Sequence, residues 1–194
     1  LTVEGRRQAG ELAALLQAKR AVSLNVVESP PRFARIYTSP LRRAVETAQI
    51  LSVSLKIPYE ITDALREFDC GIAEGGADEQ SWAYWHWVWE EWHIYRRYAS
   101  KIEGGESYLD LVARMRSFLD NVRAPGLVET GDLILVGHGG LFSAILPALF
   151  INPGLRAQVG VIGIPNTALI LPEATPEGLV CREWCGKVFK YAGL

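Results

Sequence analysis

The stretch "ILVGHGGLFSAIL", residues 134–146, decides how the chain is organised. A run of aliphatic residues ends at Gly137, His138 follows, and two glycines lead into a second apolar run. The first run is typical of a buried strand, and the second is typical of a helix. Glycines on both sides of one polar residue indicate that something must approach the backbone closely there. The stretch therefore predicts a strand-to-helix junction that carries an ionisable ring.

Strands and helices alternate on both sides of this junction. The sequence predicts a helix over 1–20 capped by Thr2, and a strand over 34–39 whose Ser39 is the N-cap of the helix 41–55. A capping box of Ser107 and Asp110 opens the helix 108–122, and the segments 167–173 and 178–184 form a closing strand pair. Such alternation favours an α/β fold, a three-layer α/β/α sandwich with a mainly parallel central sheet.

Composition limits the partners that the chain can have. The 194 residues suffice for one domain with a real core, and a net charge of −2 gives no reason to expect nucleic acid or an anionic membrane. No apolar run is long enough to span a bilayer. Three cysteines, Cys70, Cys181 and Cys185, form no disulfide framework and no zinc site, so we expect a cytoplasmic protein. The sequence leaves a homodimer open.

Two of the predicted strand-to-helix junctions carry residues suited to binding an anion. Arg42 and Arg43 lie in the first turn of one helix, and His138 precedes the other. Ligands of parallel sheets bind at the carboxyl ends of strands, where backbone N–H groups at helix N-termini attract negative charge. An arginine fork beside an imidazole favours a phosphoryl group. A histidine at a strand end is more often structural, and an arginine in the first turn of a helix is more often solvated. The prediction of a site rests on their occurrence together.

Six segments, in order along the chain, resemble motifs of the histidine phosphatase superfamily, the phosphoglycerate mutase-like proteins. These segments are "LTVEGRRQA", "TSPLRRAVETA", "LREFDCGIAEG", "GGESYLDLVARMRSFL", "LVGHGGLFSAIL" and "IPNTALI". They span nearly the whole chain, from residue 1 to residue 170. The resemblance implies a phosphoglycerate mutase-like fold for residues 1–194, taken as a single domain.

The resemblance also implies roles for individual residues. Arg43 falls on the arginine that grips phosphate, whereas Arg42 falls on a variable position. Glu67 falls on the proton donor, His138 on the histidine that stabilises the transferring phosphoryl group, and the Gly139 N–H would help to hold that group. The implied activity is hydrolysis of a phosphate monoester, a small phosphorylated metabolite, through a phosphohistidine. It requires neither a metal ion nor another cofactor.

The attacking histidine of the family is absent from these residues. In the family it lies in an R-H-G motif on a first strand, before the LT-led helix with which this sequence begins. None of His86, His93 and His138 lies in such a motif, so we expect the nucleophile upstream of Leu1. The alternative is a non-catalytic protein that binds a phospholigand. We also expect a further strand beside "DLILVG", residues 132–137, because that segment is apolar on both faces.

A mutase-type phosphotransferase is the other enzymatic alternative. The loop after Glu67 reads "FDCGIAEGG" and lacks the arginine, histidine and tyrosine that follow the acid in typical mutases. This difference favours a phosphatase.

Residues 76–103 form a Trp-rich helical insertion, which the resemblance implies lies over the pocket. A tryptophan row at helical spacing is more often core than ligand site, although it could also shape an apolar part of the substrate site; the row comprises Trp82, Trp85, Trp89 and Trp92. His86, Glu90 and His93 share a face that we interpret as solvated and not as a metal site. Arg96 and Arg97 resemble a Tyr-Arg-Arg segment that contacts substrate in sugar-phosphate mutases.

Overall fold

The computed structural model describes residues 1–22, 33–122, 131–159 and 163–189. The chain forms two compact units. Unit 1 comprises Leu1–Arg66 and Pro125–Leu194, and unit 2 comprises Glu67–Ala124.

Unit 1 contains a parallel sheet with helices, followed by an antiparallel sheet. Its elements in chain order are α1 (Val3–Val22), β1 (Phe33–Thr38), α2 (Arg42–Leu55), β2 (Tyr59–Ile61), β3 (Asp132–Val136), α5 (Gly139–Leu149), α6 (Leu155–Val159), β4 (Ile170–Thr175), β5 (Gly178–Trp184) and β6 (Lys187–Val188). The parallel sheet has the order β2-β1-β3, and the antiparallel sheet has the order β4-β5-β6. The predicted α/β class and the closing strand pair are therefore confirmed.

Apolar side chains explain why the helices of unit 1 pack as they do. Ala13 and Leu16 of α1 are buried with Ala48, Leu51 and Leu55 of α2 in one cluster. These positions recur at intervals of three and four residues, so each helix turns one apolar face to the core. Ile36 of β1 is fully buried in the same cluster. The core thus fixes β1 beneath the two helices.

The structure confirms two predicted helix caps and corrects a third. The Gly5 N–H donates to Thr2 Oγ1 at 3.0 Å, and Asp110 N–H donates to Ser107 Oγ at 3.2 Å. Ser39, in contrast, is not the N-cap of α2, because the helix begins at Arg42 and Leu41 takes the cap position without a side-chain cap bond. The Ser39 hydroxyl instead accepts a hydrogen bond from the Leu41 N–H at 3.2 Å.

Strand β3 is an edge strand among the described residues. It pairs in parallel with β1, with Ile36 opposite Ile134 and Thr38 opposite Val136, and its other edge has no hydrogen-bonded strand in that part of the chain. Its apolar residues 133–136 are only half-buried. The sequence predicted burial on both faces, and the difference follows from the uncovered edge.

Unit 2 contains α3 (Glu79–His93) and α4 (Tyr108–Val122). Asp78 caps α3 by accepting from the Ser81 N–H at 2.8 Å. The helix α4 buries Leu111 and Met115. A loop with one 3-10 turn, Gly71–Ala73, precedes α3.

The tryptophan row of α3 is only partly core. Trp92 is fully buried, Trp82 is 56% exposed, and Trp85 and Trp89 are half-buried. The prediction of a core row is therefore confirmed for Trp92 and wrong for Trp82. The partly exposed rings cover one another instead, since Trp85 and Trp89 stack with centroids 5.2 Å apart and an interplanar angle of 11°.

Candidate active site

The register of β1 and β3 brings two strand-to-helix junctions side by side. Thr38 lies opposite Val136, and the Ser39 N–H donates to the Val136 carbonyl at 3.0 Å. Each strand therefore ends at the same sheet edge, and the helices α2 and α5 begin shortly after at Arg42 and Gly139. This is the edge at which open parallel sheets bind ligands.

His138 is buried at this edge, with only 6% of its surface exposed. Its Nδ1 accepts a hydrogen bond from Arg43 Nε at 3.2 Å, and its Nε2 lies 2.7 Å from Ser39 Oγ. Because a guanidinium can only donate, Nδ1 carries no proton in the neutral ring. The network therefore assigns the ring proton to Nε2, which donates to Ser39.

The electrostatic surroundings of His138 keep its ring neutral. Burial lowers the pKa of His138, the Arg43 charge lowers it further, and together they bring it from 6.5 to about 4. Burial disfavours the charged imidazolium, and the neighbouring cation repels it. A bound anion would offset the Arg43 charge, so the free site is poised to take up negative charge.

The two neighbouring arginines have different surroundings. Arg42 leaves 90% of its side chain exposed and pairs with Glu46 one turn on, at 3.0 Å. Arg43 donates its Nε–H to His138, and neither of its Nη groups is hydrogen-bonded within the described residues. Arg43 can therefore hold His138 and still offer both of its Nη groups to an anion.

The two glycines beside His138, Gly137 and Gly139, have different surroundings. A Cβ on Gly137 would lie 2.5 Å from the Phe142 ring, so packing of that ring explains this glycine. The close approach that the sequence predicted at Gly137 is therefore that of the Phe142 ring. A Cβ on Gly139 would meet the Ile164 carbonyl at an ordinary 3.5 Å. Gly139 is the first residue of α5, and an N–H at that position has no acceptor inside its helix.

The remaining predicted site residues lie in unit 2. Glu67 is half-buried, and its Oε1 accepts from the Phe68 N–H at 3.1 Å. Arg97 forms an ion pair with buried Glu91 at 3.0 Å. Arg96 is exposed and has a left-handed backbone with φ 57°. The structure thus groups Arg43, His138 and Gly139 in unit 1, while unit 2 carries the other three.

Ser39 is a site residue that the sequence reasoning did not identify. Its side chain is fully buried, and its hydroxyl links the backbone of Leu41 to the His138 ring. The sequence interpretation used this residue only as a helix cap. Its position at a strand end, matching that of Gly137 on the paired strand, was the signal that could have revealed it.

The described residues contain neither a candidate metal site nor a helix that could span a membrane. Those residues contain no group of three or more histidine, cysteine or acidic side chains able to hold a metal ion. His86 and His93 instead pack against tryptophan rings of their own helix. No helix in the described ranges is long and apolar enough to cross a bilayer.

Several known proteins are similar to this chain in sequence. The chain is 34% identical over 165 residues to human 6-phosphofructo-2-kinase/fructose-2,6-bisphosphatase 3, covering 84% of the chain and 28% of that protein. It is 30% identical over 139 residues to the 2,3-bisphosphoglycerate-dependent phosphoglycerate mutase of Methylobacterium sp. (strain 4-46), covering 67% and 66%. The chain therefore spans less than two thirds of each of these relatives.

A solved structure shares the fold. The native mycobacterial glucosyl-3-phosphoglycerate phosphatase superposes with a TM-score of 0.70 at 26% identity, over 94% of this chain and 85% of that one. The model of the histidine phosphatase superfamily (branch 1) matches residues 1–186. Because this match covers most of the chain and the solved structure shares its fold, the chain belongs to the histidine phosphatase superfamily.

Proposed function

We propose that this protein hydrolyses small phosphate monoesters through a phosphohistidine. The observation that carries the proposal is the contact of Arg43 with neutral, buried His138 at the sheet edge. Membership of the superfamily and the phosphatase relatives support the same reaction. The phosphoryl group binds among the Arg43 Nη donors, the Gly139 N–H and the His138 ring, whose Nε2–H exchanges its bond to Ser39 for one to a phosphoryl oxygen.

The first step transfers the phosphoryl group to the protein. A histidine supplied from outside residues 1–194 attacks phosphorus through a ring nitrogen, and the bond from phosphorus to the ester oxygen breaks. Positive charge spread around the three equatorial oxygens stabilises this transition state. Glu67 gives its proton to the departing oxygen, so the leaving group departs as an alcohol.

The second step regenerates the protein. Glu67, now a carboxylate, takes a proton from water as that water attacks phosphorus. The bond between nitrogen and phosphorus breaks, and inorganic phosphate leaves. Because Glu67 ends this step protonated, the site returns to its initial state.

The remaining features of the proposal concern location and specificity. We propose a cytoplasmic protein, which the three free cysteines support. Hydrolysis is preferred to a mutase reaction because the segment after Glu67 lacks the arginine, histidine and tyrosine of typical mutases. Arg96, Arg97 and the insertion 76–103 are proposed to contact the part of the substrate beyond its phosphate.

The test replaces the proposed acid in the full-length natural protein. Glu67→Gln keeps the size of the side chain but cannot donate a proton, so turnover of alkyl phosphates should fall by about 10²–10⁴-fold. Aryl phosphates with activated leaving groups need little protonation and should lose much less. The exposed Glu177, in the turn between β4 and β5, provides the control, because Glu177→Gln should leave turnover of both substrates unaffected.

Three outcomes would contradict the proposal. An equal loss on both substrate types would remove Glu67 as the acid. Phosphate binding without turnover in the unaltered protein would support the phospholigand-binding alternative. Transfer of phosphate between phosphoglycerates in place of phosphate release would support the mutase alternative.

A further inference from the structure

Two contacts hold the loop directly after Glu67. Phe68 is buried, with 3% of its surface exposed, and packs edge to face against Trp92 with centroids 5.5 Å apart. The Asp69 backbone is bound by Glu106, a residue 37 positions later in the chain. The two anchors act one and two residues after the proposed acid, and both lie in unit 2.

Glu106 binds Asp69 through two hydrogen bonds. The Asp69 N–H donates to Glu106 Oε2 at 3.0 Å, and the Glu106 N–H donates to the Asp69 carbonyl at 3.0 Å. The first bond uses a side chain, so substitution at Glu106 can remove it. The second uses only the backbone and survives such a substitution.

Arg114 fixes the Glu106 carboxylate. Its Nε and Nη2 donate to the two carboxylate oxygens at 3.0 and 2.9 Å, which is the bidentate geometry of strong charge-assisted bonds. The pair is shielded from solvent, with 18% of the Arg114 side chain and 26% of the Glu106 side chain exposed. Arg114 lies two turns along α4 from its start, so the helix sets where the carboxylate can stand.

The backbone around this contact is tightly fitted. A Cβ on Gly105 would lie 2.5 Å from the Asp69 carbonyl, and a Cβ on Gly71 would lie 1.9 Å from the Glu103 carbonyl. The two chain segments therefore approach each other at van der Waals limits. Asp69 also accepts from the Gly71 N–H through Oδ1 at 2.7 Å, which closes the turn after the acid.

We propose that Glu106 and Arg114 are positioning residues for Glu67, acting through the Asp69 backbone. The inference rests on the proposed function of Glu67 as the general acid. A general acid works only when it reaches the departing oxygen within hydrogen-bond distance, so a loosened loop costs turnover even when the acid itself is intact. Loss of the Glu106–Arg114 pair should therefore have the same dependence on the leaving group as loss of the acid itself.

The experiment compares Glu106→Ala with Glu106→Gln in the full-length natural protein. Glu106→Ala should lower kcat for an alkyl phosphate by about 10–100-fold, with a smaller change in KM and a much smaller change for an activated aryl phosphate. Glu106→Gln keeps an oxygen for the Asp69 N–H but loses one of the two Arg114 bonds, so it should restore part of the lost turnover. Amide hydrogen exchange over 67–71 should be fastest in Glu106→Ala and intermediate in Glu106→Gln.

Two controls on the same helix separate positioning from stability and charge. Asp110→Ala breaks the capping box and destabilises α4 without touching Asp69, so the ratio of alkyl to aryl turnover should stay unchanged. Arg114→Met should behave like Glu106→Ala, whereas Arg116→Met removes an equal charge from an exposed position and should have no effect.

The outcomes are decisive for this inference. Equal losses on both substrates in Glu106→Ala, or unchanged exchange over 67–71, would overturn the positioning role. Failure of the proposed function has a different signature, because Glu67→Gln itself would then show no dependence on the leaving group. Accelerated exchange together with a selective loss on alkyl phosphates supports the inference.

Discussion

At the scale of single residues, the state of His138 is set by two contacts that come from another part of the chain. Arg43 approaches one ring nitrogen and Ser39 the other, across 95 and 99 residues of sequence. Burial and the Arg43 charge lower the pKa of the ring to about 4. The ring is therefore neutral near pH 7, and both its charge and its contribution to the stability of the protein depend on the pH.

We predict that this ring makes the protein less stable in weak acid. Its pKa is lower in the folded chain than its ordinary value of 6.5, so the unfolded chain binds the proton more tightly. The free energy of unfolding is therefore unaffected by this group above about pH 6.5 and falls as the pH drops towards about 4, by at most ~1.4 kcal/mol per pH unit. Urea unfolding between pH 4 and pH 7 measures the slope. His138→Gln should show a shallower slope, and identical slopes would refute the assignment.

We predict that Arg43 and Arg42 contribute unequally to phosphate binding. Arg43→Ala removes charge-assisted bonds worth on the order of 1.5–3 kcal/mol, which lowers affinity for inorganic phosphate by about 10–100-fold. Arg42→Ala removes only an exposed ion pair with Glu46, which contributes less than ~1 kcal/mol to stability, so phosphate affinity should change little. Isothermal titration with phosphate measures both variants. Similar small effects from the two substitutions would show that Arg43 does not face the anion.

At the scale of elements, predictions from sequence succeeded where the cause was local. Thr2 and Ser107 cap their helices because each cap needs only residues three positions away. Ser39 looked like a third cap, but its hydroxyl pairs with the ring of His138, which precedes α5 and lies 99 residues later in the chain. The pairing of Asp69 with Glu106 was equally hidden, because it depends on how a loop meets a helix 37 residues later.

The glycines of unit 2 provide an element-scale test with an internal control. Gly71 and Gly75 both have positive φ, 54° and 72°, but a Cβ would collide with the Glu103 carbonyl only at Gly71. Gly75→Ala should cost about 1 kcal/mol of stability for the left-handed backbone alone. Gly71→Ala also forces the backbone of residues 103–105 to move, so it should lower the free energy of unfolding clearly more. Thermal unfolding of the two variants measures the difference, and equal losses would contradict the close approach of the two segments.

At the scale of the whole molecule, the uncovered edge of β3 is the most consequential feature of unit 1. Its backbone groups pair with β1 on one side, and its apolar residues 133–136 remain half-exposed in the described part of the chain. An exposed apolar edge is a template for pairing with another strand. Nothing in the local sequence of β3 distinguishes this situation from full burial, which is why the sequence predicted two covered faces.

We predict that another strand covers this edge in the natural protein. Residues outside 1–194 should supply it, with a histidine near His138, or a second chain should occupy the position. A crystal structure of the full-length natural protein tests this directly. Hydrogen exchange gives an independent measure, because amides of β3 that face the new strand should be protected there and exchange faster in residues 1–194 alone. A structure with β3 still at a bare edge would contradict the prediction and favour the phospholigand-binding alternative.

The tryptophan row of α3 gives the molecule an uneven optical signature. Five of its six tryptophans lie on that one helix, and the sixth, Trp184, lies on β5. Intrinsic emission therefore reports almost entirely on unit 2, whereas far-ultraviolet circular dichroism reports on the backbone of both units. The stacked indoles of Trp85 and Trp89 are close enough for their transitions to couple. Loss of that coupling in an unfolding experiment marks the opening of α3 itself, without any added dye or label.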